Sequence, residues 1–183
     1  MKKIVLAVIM LCGVSAAYAQ KYMTRTGKIT FYSATPLENI EAINNEVACV
    51  MNGENGEFIF QVPVKSFKFE RSLMEEHFNE NYMESSKYPR SKFKGKIDNF
   101  DSVNLEKDGT YEVEVSGTLE IHGVTNPIKT KGTLKVQGDT INANSAFTIA
   151  VADYGIEIPK VVKDNVAKEV EISVNVVYKP FKR

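Results

Sequence analysis

From about residue 25 onward the chain alternates between apolar and polar residues. In TYEVEVSGTLEI, Tyr111, Val113, Val115, Leu119 and Ile121 fall on one side, and Glu112, Glu114, Ser116, Thr118 and Glu120 on the other. Successive side chains of a strand point to opposite faces, so such a segment is a strand with one dry and one wet side. The same period of two runs through Ile128 to Val136, Ile141 to Val151, Val170 to Tyr178, Phe58 to Val64 and Phe93 to Ile97. It is weaker at Ile29 to Ser33 and Val47 to Met51. NGENGE (52–57), KDGT (107–110) and QGDT (137–140) are hairpin signals, because Gly and Asn tolerate positive φ. HGVTNP (122–127) is a further turn, with Gly123 as its pivot and Pro127 beginning the next strand. About eight strands with one apolar face each predict an antiparallel sandwich or closed barrel, not a parallel sheet.

The first residues stand apart from this pattern. Lys2 and Lys3 precede an apolar run from Ile4 to Val14, and Ala17-Tyr18-Ala19 has the small-x-small form of a secretory cleavage site. The run is too short to cross a bilayer core of about 30 Å. Residues 1–19 are expected to be a cleaved signal peptide, leaving 20–183 as one domain of an exported, soluble protein, periplasmic or secreted. Without Lys2 and Lys3, the 23 basic residues become 21 against 23 acidic ones. That overall balance carries no electrostatic footprint for nucleic acid or anionic membranes. Cys49 is then the sole cysteine, so no internal disulfide forms and stability must come from packing.

Between Phe69 and Tyr88 the period changes. Ser72 with Glu75 fits a capping box, Ser at the N-cap and Glu three residues on. At about 100° per residue, Leu73, Met74, Phe78 and Tyr82 share one arc of a helix and Glu75, Glu76, Asn79 and Glu80 the other. His77 and Asn81 fall within the apolar arc. They are read either as buried groups hydrogen-bonded within the fold, or as contacts to the polar head of a bound ligand. A metal site needs three or four ligands, which two histidines and Cys49 in unrelated segments do not supply. No nucleophile motif or paired carboxylates accompany either histidine, so no catalytic residue is assigned.

An eight-stranded barrel is either filled by its side chains or holds one small ligand. Gly95, Gly117, Gly132, Ala143 and Ser145 share the inward register with Phe58, Phe60, Phe93 and Phe147. Small residues beside aromatics either interdigitate with them or leave an elongated apolar space. The inward phase also slips from even to odd between Val64 and Phe67, predicting a bulge near Lys65-Ser66.

The run FKFERSLMEEHFNENYMESSKYPRSKFKGKI, followed by GTLEIHGVTNPI, resembles the YceI-like family of exported lipid-binding proteins. The order of motifs carries the resemblance: Phe67-Lys68-Phe69, Leu73-Met74, His77-Phe78, Lys87-Tyr88-Pro89, Phe93, then Leu119 to Thr125. It implies an extended eight-stranded antiparallel β-barrel, lipocalin-like, with a short amphipathic helix packed against it and a long amphiphile in an internal tunnel. The family offers no catalytic residues to carry over. The opening segment SATPLENIEAINNEVACVMN lacks the histidine that many members carry near the first strand.

The expected function is that of a non-catalytic carrier holding a long-chain isoprenoid lipid or isoprenoid quinone. Leu73, Met74, Phe78 and Tyr82 are expected to form the covering wall, with His77 and Asn81 near the head group. Phe58, Phe60, Phe93, Val113, Val115, Leu119 and Phe147 are expected to form the barrel wall. Two other classes stay open: a filled-barrel protein-interaction module, and a small enzyme acting on an envelope lipid. The sequence leaves the oligomeric state, a homodimer included, undecided.

Overall fold

The computed structural model describes residues 20–181; the apolar leader read at 1–19 lies outside them. The strands are β1 (Lys21–Ala34), β2 (Asn39–Asn52), β3 (Glu57–Pro63), β4 (Lys68–Phe69), β5 (Arg90–Ile97), β6 (Gly109–Ile121), β7 (Val124–Gln137), β8 (Thr140–Ala150) and β9 (Glu169–Pro180), with one helix, α1 (Ser72–His77). Their order is β1-β9-β8-β7-β6-β5-β3-β2, and β2 pairs again with β1, so eight antiparallel strands close into a barrel. The two-residue β4 adds to β2 outside that ring, through Ala42↔Phe69 and Ile43↔Lys68.

Both opening strands are far longer than the sequence pattern predicts, and the reason is a shared irregularity. In β1, Tyr22 and Thr24 are buried on even positions, then Gly27, Ile29 and Ser33 on odd ones. In β2 the buried positions switch from Ala42 and Asn44 to Val47, Cys49 and Met51. The register between the strands shifts at the same level, on either side of Gly27. A bulge turns each strand's inward set by one residue, and a fixed period of two misses what lies beyond it.

Three other expectations change. The slip after Val64 is not a bulge but a 3₁₀ turn, Val64–Ser66, closed by Phe67 N–H to the Val64 carbonyl at 3.3 Å. The turn still leaves Val64 and Phe67 both buried. KDGT is not a hairpin but the end of a loop, 98–108, in which Asn99 Oδ1 accepts the Glu114 N–H at 2.9 Å. Pro127 does not begin a strand: His122 (φ 52°) and Gly123 (φ 76°) make a two-residue turn, and β7 starts at Val124. Both turn residues in left-handed backbone match the twist of a hairpin. Pro127 lies opposite Thr118 of β6, in a stretch where β7 has no β8 partner, since that pairing spans only Gly132↔Ser145 to Gln137↔Thr140. A residue without an N–H is tolerated there.

Because every strand is antiparallel, the connections alternate between two ends. The short turns, 53–56 and 138–139, and the 98–108 loop lie at one end. The long connections, 64–89 with α1 and 151–168, share the other with the turns 35–38 and 122–123. The barrel is solid toward the first end, where Tyr22, Cys49, Met51, Val136, Ile141 and Tyr178 form one packed cluster.

Candidate binding cavity

Toward the end carrying the long connections the barrel is hollow, with a cavity of about 520 Å³. That falls within the range of about 300–1,000 Å³ typical of small-molecule sites. Its wall is mostly apolar. Ile29 and Phe31 come from β1, Phe58, Phe60 and Val62 from β3, and Phe93 from β5. Val115, Leu119 and Ile121 come from β6, Ile128 from β7, Phe147 and Ile149 from β8, and Val170, Ile172 and Val174 from β9.

Eleven of the thirteen residues singled out from the sequence line this space: Phe58, Phe60, Leu73, Met74, His77, Phe78, Tyr82, Phe93, Val115, Leu119 and Phe147. Val113 does not. It is 5% exposed and belongs to the packed cluster with Leu134 and Val136. Two residues further up β6, Val115 faces open space, so the boundary between filled and hollow barrel falls between them. The inward small residues likewise serve packing in part. Gly95 and Gly117 pair directly across β5 and β6, and the Phe93 ring lies against both. A Cβ at Gly117 would stand 2.6 Å from Phe93 Cζ and 2.4 Å from the Lys94 carbonyl oxygen.

The helix corrects the reading of its polar residues. Arg71, not Ser72, occupies the N-cap position, and no side chain caps the helix. Glu75, assigned to the capping box, instead pairs with Lys68 Nζ at 2.7 Å. After six residues α1 passes into a π turn, Phe78–Tyr82, closed by Met83 N–H to the Phe78 carbonyl at 2.8 Å. The wider turn shifts every later side chain off the 100° phase. The half-buried amide is Asn79: its Nδ2 donates to the Glu75 carbonyl at 2.8 Å while its Oδ1 is buried without a partner. His77 and Asn81 are both exposed, which overturns the expectation that they face inward as buried groups. His77 borders the cavity at its mouth; Asn81 does not reach it.

Four phenylalanines fasten this segment to the barrel. Phe78 stacks on Phe31 at 5.8 Å and meets Phe69 at 5.0 Å and Phe67 at 5.6 Å. Such aromatic contacts contribute about 0.5–1.5 kcal/mol each beyond their buried area. Tyr82 also faces the cavity, and burial raises its phenol above the ordinary range, keeping it a neutral hydrogen-bonding group.

The connection 151–168 supplies lining residues that strand periodicity does not reveal: Ile156, Ile158, Val162 and Val166. Their signal was present as branched apolar residues scattered without a fixed period among charged ones. Charged and polar side chains gather at the mouth. Glu38, Arg71, His77 and Asn165 all border it; Arg71 Nη2 pairs with Glu38 Oε1, and Asn165 Nδ2 donates to Glu38 Oε2 at 3.2 Å. Among the described residues no cluster of three His, Cys, Asp or Glu side chains is placed to hold a metal, and no helix is long and apolar enough to cross a membrane.

Solved structures share this architecture. A polyisoprenoid-binding domain from Saccharophagus degradans, implicated in plant cell wall breakdown, superposes with a TM-score of 0.76 at 17% identity, covering 88% of this chain and 98% of its own. BcnA of Burkholderia cenocepacia gives 0.69 at 16% identity, over 82% of this chain and 95% of its own. The YceI protein of Campylobacter jejuni gives 0.52 at 12% identity, over 100% of both chains. At these identities the likeness is one of fold. Comparison with curated proteins gives no match. The sequence profile of the YceI-like domain matches residues 16–178, from before β1 to nearly the end of β9. Barrel, helix and the full span of that match coincide, and the chain belongs to the YceI-like family.

Proposed function

We propose that the protein is an exported, non-catalytic carrier that holds a long-chain isoprenoid lipid, such as a polyprenol or isoprenoid quinone, inside the barrel. One observation carries the reading: an apolar cavity of about 520 Å³, stopped below by a packed core and roofed by α1 and the 151–168 connection. Burying a chain there gains about 0.8 kcal/mol for each CH₂ removed from water. The head group lies at the mouth, beside Arg71, His77 and Asn165, and release follows opening of the roof. No bond is made or broken. The ligand class draws on the Saccharophagus degradans domain, described as binding polyisoprenoid. Periplasmic or secreted location draws on the basic, apolar and small-residue order of residues 1–19.

The test is equilibrium binding of a polyprenol, an isoprenoid quinone and a fatty acid delivered from detergent micelles. The account expects saturable, one-to-one binding of an isoprenoid. Absence of binding by all three contradicts it.

A further inference from the structure

Among the described residues, the large apolar side chains most open to solvent are Val161 (90% exposed), Leu37 (70%) and Leu73 (59%). They belong to three separate connections, yet all stand at the cavity mouth. Leu37 precedes Glu38, Leu73 itself borders the opening, and Val161 precedes the lining residue Val162. The three connections are tied together through one carboxylate, since Glu38 pairs with Arg71, two residues from Leu73, and accepts a hydrogen bond from Asn165, four residues from Val161. Such protruding side chains contribute nothing to the core.

The chain as a whole offers no net positive charge, but one part of the rim is locally basic. Lys160 and Lys163 flank Val161, and the segment 160–168 carries Lys160, Lys163 and Lys168 against Asp164 alone. Near Leu73, Glu38 pairs with Arg71 and Glu75 with Lys68, while Glu70 and Glu76 are exposed, so the lysines of 160–168 are the cationic side of the rim. Apolar tips beside lysines match the layering of a bilayer surface, where the tips reach acyl chains and long cationic side chains extend to phosphates. Leu73 itself and Val162, next to Val161, also line the cavity, so two of the tips stand directly beside its apolar wall.

We propose that this rim docks on the surface of a phospholipid bilayer, with Leu37, Leu73 and Val161 entering the acyl boundary and Lys160 and Lys163 meeting lipid phosphates. Building on the carrier reading, it assigns the bilayer as the place where ligand is loaded and delivered, the chain passing between membrane and barrel without crossing water.

The test compares the protein with the double variant Leu37→Ser/Val161→Ser, which leaves every cavity-lining residue intact. Flotation with ligand-free vesicles of phosphatidylethanolamine and phosphatidylglycerol measures docking. Transfer of a fluorescent polyprenol between vesicles, at rising vesicle concentration, measures its use. The protein is expected to float and to transfer at a rate that climbs with vesicle concentration. The variant is expected to lose about tenfold or more in vesicle binding and that concentration dependence, while taking up polyprenol from micelles as the parent does. A parent that does not float, as a rim serving a protein partner would give, overturns the proposal. So does a variant that floats equally well, or a transfer rate indifferent to vesicle concentration. Failure of both proteins to take up polyprenol from micelles instead strikes the carrier reading, and flotation still decides docking by itself.

Discussion

His122 Nε2 stands 2.9 Å from Glu84 Oε2, and these two are the non-glycine residues with positive φ among the described residues, at 52° and 41°. Each sits in backbone that an L side chain adopts at a cost. Together they pin the β6–β7 turn to the segment leaving the helix. His122 Nδ1 lies 3.3 Å from the Tyr154 carbonyl oxygen, and its ring meets Tyr88 edge-on at 4.6 Å. Both long connections of the cavity end are thus gathered on one imidazole. The second histidine of the sequence is an architectural residue.

His122→Asn keeps a side chain that tolerates left-handed backbone and removes the contact to Glu84. It is expected to cost about 1 kcal/mol in urea unfolding. Amide exchange should rise at Met83 to Tyr88 and at Val151 to Tyr154, with the barrel strands unchanged. Unaltered exchange in both segments contradicts the pinning role.

Val113 and Val115 separate the packed and hollow halves of the barrel, and Trp at each should behave differently. Val115→Trp projects into open space and is expected to lower polyprenol retention about tenfold or more while the barrel stays folded. Val113→Trp overfills a packed cluster and is expected to destabilise the fold by about 1–3 kcal/mol or more. Circular dichroism and lipid retention check both. Full retention in a folded Val115→Trp protein removes Val115 from the binding wall.

Much of this was legible because a one-faced strand writes its register into the sequence. β6 and β9 appear there almost as they stand, and the phenylalanines of β3 and β5 keep their inward parity throughout. Where the backbone leaves its ideal period, the pattern misleads. The paired bulges hid half of β1 and β2, the π turn broke the helical phase before Asn81, and the 3₁₀ turn after Val64 imitated a bulge. The roof contributed by 151–168 has no period at all. Nor does alternation show where packing ends along a strand, which is why Val113 and Val115 looked equivalent.

At the closed end, Cys49 Sγ and Tyr178 Oη are 2.8 Å apart and almost wholly buried. Burial raises both groups, the thiol above its ordinary 9.0 and the phenol well above its ordinary 10.0. Both stay neutral in the folded barrel, while the unfolded chain ionises at the ordinary values. The pair's contribution is therefore full below about pH 9 and declines as pH rises toward the folded values. Urea unfolding is expected to give lower stability at about pH 10 than at about pH 7, with a smaller difference in Cys49→Ala/Tyr178→Phe. An equal alkaline loss in protein and double variant contradicts this assignment.

The central claim is that the hollow half of the barrel carries an isoprenoid chain. Native mass spectrometry of the protein purified from its own host, followed by organic extraction and lipid identification, tests it most directly. The account predicts one long-chain isoprenoid mass per barrel. A bare protein mass under gentle ionisation, with no isoprenoid in the organic extract, contradicts it.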